Sequence, residues 1–232
     1  MAAITTTTAI ITGSGRGIGK ETAVMLAKKG VNVVVCSRTQ REINKTVNEI
    51  KKFHPRVIGV KCDVGIASDV DMLVDKTVAE FGGSIDILVN NAAVLFIKRL
   101  SDTTEKEWDV TINSNLKSAF LCSKAVLPYM KKKGTIINVI SGAGKTGYEN
   151  LSAYCASKFG MLGLTFSLAW ETSSTRVIAI CPGDVDTVMQ DADPEYHRAN
   201  KANMLTAGQV AAKIVEMIHD ENNYASGQSV DI

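Results

Sequence analysis

The chain is short of the residues that build several kinds of functional site. Among its 232 residues are only three histidines and four prolines, and aromatic residues make up 6%. The histidines, His54, His197 and His219, have no ligand spacing to one another or to a cysteine, so a metal site is not expected. The net charge of +2 is close to balance and gives no reason to expect nucleic acid as a partner.

Long apolar runs and a targeting segment are also missing. No apolar run approaches membrane-spanning length, and the first eight residues lack the basic start and the apolar region of a signal peptide. The five cysteines include no Cys-x-x-Cys pair and are scattered, at Cys36, Cys62, Cys122, Cys155 and Cys181. Reduced, buried thiols are therefore favoured over disulfides, and the prediction is a cytoplasmic protein with no membrane partner.

What the chain does have is a regular alternation of short apolar runs with amphipathic segments. Strands are predicted at 9–11, 31–36, 57–61, 85–89, 135–140, 176–181 and 229–232. Helices are predicted between Gly19 and Gly30 and at 40–52, 67–81, 103–111, 116–130, 152–171 and 207–219; the lysine run 131–133 would be a solvated helix end. Such alternation is typical of right-handed β-α-β units. The predicted fold is α/β: a single doubly wound Rossmann domain over 1–232, with a parallel sheet of about seven strands and helices on both faces.

A glycine-rich segment follows the first strand directly. It comprises Gly13, Ser14, Gly15, Arg16, Gly17, Ile18 and Gly19. A strand, a glycine-rich turn and a helix in this order place free backbone N–H groups at a helix N-terminus, where a phosphate can bind. An ordinary turn is the alternative. The spacing excludes the Gly-x-Gly-x-x-Gly fingerprint, which needs glycine at position 18, and the P-loop, because Glu21 follows Lys20.

The residues after the second strand bear on the choice of dinucleotide. In the Rossmann pattern a carboxylate here binds the ribose 2′-hydroxyl, but this chain has Ser37 and Arg38. A guanidinium suits a 2′-phosphate, and Arg16 in the glycine segment adds a second positive charge. NADP(H) is therefore predicted over NAD(H), although either arginine alone would also suit a solvated surface.

Three further residues bring a hydroxyl, a phenol and an amine into the predicted site. Ser141 follows the fifth strand, Tyr154 lies near the start of the next helix, and Lys158 comes four residues later, on the same helix face. A free tyrosine has a pKa of about 10, and a neighbouring ammonium is expected to favour the phenolate. A serine hydroxyl can polarise a substrate carbonyl. On its own, Tyr-x-x-x-Lys also occurs as a solvated helical pair.

Together these segments resemble the short-chain dehydrogenase/reductase family. The resemblance rests on Thr12-Gly-x-x-x-Gly-x-Gly19, on Asn90-Asn-Ala-Ala93, which has alanine where the family has glycine, on Ser141 with Tyr154-x-x-x-Lys158, and on Pro182-Gly183. It implies that Tyr154 is the proton donor or acceptor, that Lys158 also binds the nicotinamide ribose, and that Asn115 helps to hold a water in a proton relay. Asn113 is the alternative asparagine. It further implies that the cofactor contacts Asp63, Val64, Asn90, Ala92, Pro182, Gly183 and Thr187.

The expected function is NADP(H)-dependent interconversion of a carbonyl compound and an alcohol, similar to 3-oxoacyl-thioester reductases. The substrate would be a ketone, an aldehyde or an acyl thioester, under a short, polar lid at about 188–205. The alternatives are a small-molecule alcohol or sugar dehydrogenase, and a non-catalytic NADP(H)-binding sensor or scaffold. Residues 159–170 form a helix that is apolar almost all round, so it is either core or a subunit interface. The resemblance favours the interface, in a homodimer or homotetramer.

Overall fold

The computed structural model describes residues 7–130 and 133–232. The predictions for the first six residues, and for Lys131 and Lys132 in the lysine run, lie outside the described residues. No helix in the part of the chain that is described combines the length and apolar character needed to cross a bilayer.

Seven strands form one sheet in the order β3-β2-β1-β4-β5-β6-β9, and every neighbouring pair is parallel. They are β1 Thr8–Thr12, β2 Asn32–Ser37, β3 Val57–Lys61, β4 Ile87–Asn90, β5 Gly134–Val139, β6 Thr175–Cys181 and β9 Ser229–Asp231. Two short strands, β7 Val185–Asp186 and β8 Leu205–Thr206, pair separately. The predicted doubly wound parallel sheet is confirmed.

The helices cover both faces of this sheet. They are α1 Gly17–Lys28, α2 Gln40–Lys51, α3 Ala67–Phe81, α4 Glu105–Ile112, α5 Ser118–Val126, α6 Ser152–Glu171, α7 Pro194–Asn200 and α8 Ala207–His219. Side chains alternate along each strand, so Ala9 and Ile11 join the core beneath α1, α2 and α8, while Ile10 joins the core beneath α3, α5 and α6. The strands therefore read as continuous apolar runs because both of their faces are buried.

Two of the helix predictions need correction. The segments predicted as separate helices at 103–111 and 116–130 are continuous, because α4 passes through a π-helical turn, Asn113–Lys117, into α5 and a final 3₁₀ turn at Leu127–Tyr129. Helix α7 lies within 184–204, where no helix was predicted. Its start carries a local signal, since the Asp193 carboxylate accepts from the Tyr196 N–H and Pro194 occupies the first helical position.

The topology reverses between β1 and β4, and this opens a crevice at their carboxyl ends. Thr12, at the end of β1, holds the two sides together: its hydroxyl donates to the Val89 carbonyl and accepts from the N–H groups of Asn91 and Ala92, both at 3.0 Å. The glycine-rich segment after β1 and the loop after β4 are thus fixed against each other.

Candidate functional site

A cavity of about 830 Å³ lies along the carboxyl ends of the strands, under the segment after β6. Fifteen of the twenty predicted site residues line it. These are Gly13, Arg16, Gly17, Ile18, Ser37, Arg38, Asp63, Val64, Ala92, Ser141, Tyr154, Lys158, Pro182, Gly183 and Thr187. The other five, Ser14, Gly15, Gly19, Asn90 and Asn115, do not line it, and each has a different role in the structure.

Gly13 and Gly17 have backbone conformations that favour glycine, with φ of +65° and +57°. A Cβ at Gly13 would also lie 2.9 Å from the Ala92 Cα. Ser14, in contrast, is buried below the loop, where its hydroxyl donates to the Ile11 carbonyl and accepts from the Cys36 N–H. Ser14 therefore fixes the loop to β1 and β2 rather than facing the cavity.

Gly15 and Gly19 are required for close packing. A Cβ at Gly19 would lie 2.5 Å from the Asn91 Nδ2, and one at Gly15 would lie 2.8 Å from the Glu42 Cβ. Position 15 thus lets Glu42 of α2 approach the glycine loop. The Arg16 guanidinium pairs with that carboxylate at 3.3 Å. Glu42 lines the cavity and was missed by the sequence reasoning, since it lies on a helix and not at the end of a strand.

Asn90 does not line the cavity, and its cofactor contact stays a prediction. Its amide is buried between strands and donates to Asn138 at 2.9 Å and to Ser123 at 3.2 Å. The neighbouring Asn91 lines the cavity instead and donates to the Thr12 carbonyl. Ala93 also lines the cavity and needs no glycine, because it is not among the residues with positive φ.

Asp63 lies in the cavity wall and also in a turn. Its carboxylate accepts from the Gly65 N–H at 3.0 Å, while its own N–H donates to Asp69. Beside it, Cys62 and Val64 complete the wall at the end of β3. The turn and the cavity wall are therefore formed by the same residue.

Ser141, Tyr154 and Lys158 meet at the other end of the cavity. The Ser141 Oγ accepts from the Ala143 N–H at 3.2 Å, which leaves the Ser141 hydroxyl proton available to a partner in the cavity. Lys158 is 1% exposed, and its Nζ donates to the Val139 carbonyl at 2.8 Å and lies 5.7 Å from the centre of the Tyr154 ring. Tyr154 and Lys158 are buried, whereas Ser141 is partly exposed.

The expectation that Lys158 lowers the pKa of Tyr154 is wrong for this structure. Burial raises the pKa of Tyr154 to about 12, and the hydrogen bond with Ser141 opposes this only in part. Burial also lowers the pKa of Lys158 to about 8, because an ammonium loses its hydration there. Desolvation is the main cause of both shifts, and the Lys158 Nζ donates its hydrogen bond to the Val139 carbonyl.

Asn115 lies in the π-helical turn and is fully buried. Its Oδ1 accepts from the Val94 N–H at 2.8 Å, and its Nδ2 donates to the Val94 carbonyl and to the Ser157 Oγ, both at 3.0 Å. Ser157 in turn donates to the Tyr154 carbonyl. Asn115 therefore connects the loop after β4 to the first turns of α6, whereas Asn113 is exposed.

The segment after β6 lines one side of the cavity, and its role as a lid stays a prediction. Asp186 pairs with His197 at 2.8 Å and with Lys201 at 3.2 Å, so these polar side chains contact one another within the segment. Their hydrogen bonds lower the pKa of Asp186. The lid presents both apolar and polar side chains to the cavity, among them Val188, Met189, Gln190 and Tyr196. Thr187 lies over the glycine loop, with its Cγ2 within 3.6 Å of a Cβ placed at Gly17.

The sequence and the structure both match known proteins. Residues 7–197 match the model for short chain dehydrogenases, and the chain belongs to that family of oxidoreductases. It is 35% identical over 235 residues to the (2S)-[(R)-hydroxy(phenyl)methyl]succinyl-CoA dehydrogenase subunit BbsD of Thauera aromatica, over 95% of this chain and 92% of the relative. It is 33% identical to the 3-oxoacyl-[acyl-carrier-protein] reductase FabG of Thermotoga maritima, over 96% of this chain and 94% of the relative.

Solved structures of related folds superpose on nearly the whole chain. A short chain dehydrogenase from Burkholderia cenocepacia in complex with NADP has a TM-score of 0.91 at 28% identity, covering 97% of this chain and 96% of that one. A variant of actinorhodin polyketide ketoreductase with NADPH has a TM-score of 0.92 at 27% identity, covering 100% of this chain and 97% of the other.

Proposed function

We propose that the protein is an NADP(H)-dependent oxidoreductase that interconverts a carbonyl compound and an alcohol. The observation that carries the proposal is that one cavity joins the glycine loop to the buried Tyr154 hydroxyl and its hydrogen-bond partner Ser141. The structural relatives crystallised with NADP and NADPH support the choice of cofactor.

The cavity fits a dinucleotide phosphate. Gly13 and Gly17 leave the loop backbone uncovered, at the N-terminus of α1, where a pyrophosphate would be held. Arg16 and Arg38 would bind the 2′-phosphate, and Asp63 would border the adenine. Pro182, Gly183 and Thr187 would border the nicotinamide. When bound, NADPH supplies the hydride for a carbonyl carbon.

Side chains of this protein would donate the proton that the alcohol product needs. The Tyr154 phenol, whose pKa burial raises to about 12, is protonated at neutral pH and would donate to the carbonyl oxygen as an alkoxide develops. The Ser141 hydroxyl would donate a second hydrogen bond to the same oxygen. Lys158, partly protonated near pH 8, would stabilise the phenolate left behind. In the reverse direction, Tyr154 would have to be deprotonated first.

Replacement of Tyr154 tests this role. Tyr154→Phe is expected to lower kcat/KM by about 10²–10⁴-fold, the usual contribution of a general acid, while the Kd for NADPH changes less than about twofold. Tyr148→Phe is the matched control, because Tyr148 also lines the cavity, and it should retain activity within about tenfold. Undiminished turnover in Tyr154→Phe would exclude the mechanism. NADPH binding by the wild type without turnover on any carbonyl compound would favour the sensor or scaffold.

For the substrate, we propose a small carbonyl compound or a 3-oxoacyl thioester. The named activities of the two curated relatives, both thioester enzymes by name, support the thioester. The mixed polar and apolar lid is compatible with both classes. The test measures NADPH consumption with a panel of ketones, aldehydes, sugars and acetoacetyl thioesters. Turnover of sugars alone would favour a sugar dehydrogenase.

We also propose that the protein is a homo-oligomer. Phe159, Phe166 and Trp170 lie at helical spacing on α6, and Trp170 is 92% exposed. Phe120 on the neighbouring α5 is exposed as well. An exposed aromatic stripe of this kind is typical of an interface. Light scattering at micromolar concentration is expected to give a dimer or tetramer, and a monomeric mass would contradict this. Cytoplasmic location stays a prediction.

A further inference from the structure

Among the residues that the structure describes, Glu42 is the one carboxylate that lines the arginine end of the cavity from a helix. Its Oε1 lies 3.3 Å from the Arg16 Nη1, and it lines the cavity together with Ser37, Arg38 and Thr39. The Rossmann pattern expects a carboxylate at the end of β2, where this chain has none, so Glu42 occupies the same neighbourhood from a different element.

The approach of Glu42 is built into the local structure. Gly15 has no side chain, and a Cβ there would lie 2.8 Å from the Glu42 Cβ and 3.1 Å from its Oε2. One turn further along α2, the Thr46 hydroxyl donates to the Gly15 carbonyl at 3.1 Å. Glu42 and Thr46 of α2 therefore both contact the glycine loop at Gly15. The close approach of Glu42 explains why position 15 has no side chain.

We infer that Glu42 is a specificity-determining residue that weakens the preference of this chain for NADP(H) over NAD(H). This inference rests on the proposed function. A 2′-phosphate must compete with the Glu42 carboxylate for Arg16, and the two anions repel each other. A ribose 2′-hydroxyl meets neither penalty. Arg38, which forms no ion pair within the described residues, then supplies most of the remaining preference.

The expected effect is moderate, because the pair is open to solvent. The Arg16 side chain is 62% exposed and that of Glu42 is 29% exposed, so water and salt screen their interaction. Glu42→Gln keeps the size of the side chain and removes its charge. It is expected to tighten NADPH binding by about threefold to tenfold and to leave NADH binding within about twofold.

Glu49→Gln is the matched control. Glu49 lies on the same helix two turns later, pairs with Lys20 at 2.9 Å, and does not line the cavity. The substitution makes the same change in net charge, so it corrects for long-range electrostatics. It should leave the ratio of the two dissociation constants unchanged.

The test measures binding and needs no substrate. Fluorescence titration gives the Kd for NADPH and NADH, and calorimetry gives those for adenosine 2′,5′-bisphosphate and adenosine 5′-monophosphate, which differ in the 2′-phosphate and lack the nicotinamide. The ratio for each pair is expected to shift toward the 2′-phosphate in Glu42→Gln alone. In an Arg16→Met background the same substitution should have a smaller effect, because the competition for Arg16 is gone.

Two results would overturn the inference. One is a ratio in Glu42→Gln within twofold of that in Glu49→Gln. The other is weaker NADPH binding in Glu42→Gln, which would mean that Glu42 orients Arg16 toward the phosphate. If the wild type binds neither dinucleotide, the proposed function itself fails, and the inference fails with it.

Discussion

The two ends of the cavity use charge in opposite ways. At the arginine end, Arg16 and Arg38 are exposed, and Arg16 forms a solvent-exposed ion pair with Glu42. At the hydroxyl end, Tyr154 and Lys158 are buried, and burial is the main cause that shifts the pKa of Lys158 to about 8 and that of Tyr154 to about 12. Screened charges can select a ligand at little cost to the fold, whereas desolvated groups change their proton affinity and destabilise the fold.

The largest expected effect comes from removing the buried lysine. Lys158→Met should lower turnover by about 10²-fold or more, because the phenolate of Tyr154 loses its nearby cation. It should also stabilise the fold at pH 7 by about 1–2 kcal/mol. The lowered pKa corresponds to about 3 kcal/mol of desolvation, and the lost hydrogen bond to Val139 offsets about 1 kcal/mol of that.

The pH dependence provides a sharper test of this destabilisation. Below pH 8 Lys158 is protonated in both the folded and the unfolded chain, so the full free-energy cost of burying its ammonium is present. Between pH 8 and 10.5 the unfolded chain binds more protons, so wild-type stability rises with pH and the advantage of the variant shrinks. Urea unfolding at pH 7 and pH 10 measures this, with the exposed Lys106→Met as control. A Lys158→Met variant that is less stable than wild type at pH 7 would contradict the claim that the buried Lys158 ammonium destabilises the fold.

Asn115 is expected to have an intermediate effect. Asn115→Ala leaves the Val94 N–H and carbonyl without their partners and removes the link to Ser157, so the free energy of unfolding should fall by about 2–4 kcal/mol. Asn113→Ala, on the exposed side of the same turn, should change it by less than about 0.5 kcal/mol. Equal effects of the two substitutions would show that the buried contacts contribute little.

The smallest effect is expected at the arginine end. Arg38→Met should weaken NADPH binding by about threefold to tenfold and make that binding less sensitive to salt, because one screened contact is lost. Arg41→Met, in the first turn of α2 and outside the cavity lining, is the control. The measurement is the Kd at two ionic strengths. An unchanged dependence on salt would remove Arg38 from the phosphate site.

The sequence predicts long, periodic elements well and tertiary relations poorly. Helices α3, α6 and α8 begin and end at the predicted residues, because the apolar stripes of α3 and α8, the long apolar run of α6 and the Thr206–Gln209 capping box of α8 are local signals. The approach of Glu42 to Gly15 depends on how α2 packs, which no local pattern encodes. The direction of the Tyr154 pKa shift was missed for the same reason, since burial is a property of the folded chain.

The π-helical turn at Asn113–Lys117 also bears on how this chain tolerates changes in length. An α-helix advances by about 100° per residue, so a turn with one additional residue shifts the phase of everything after it by that angle. Deletion of a single residue here would turn the inner face of α5 away from β4, even though no substituted side chain is involved. Among homologous proteins, insertions and deletions are thus expected to be rarer at this turn than at loops of equal exposure.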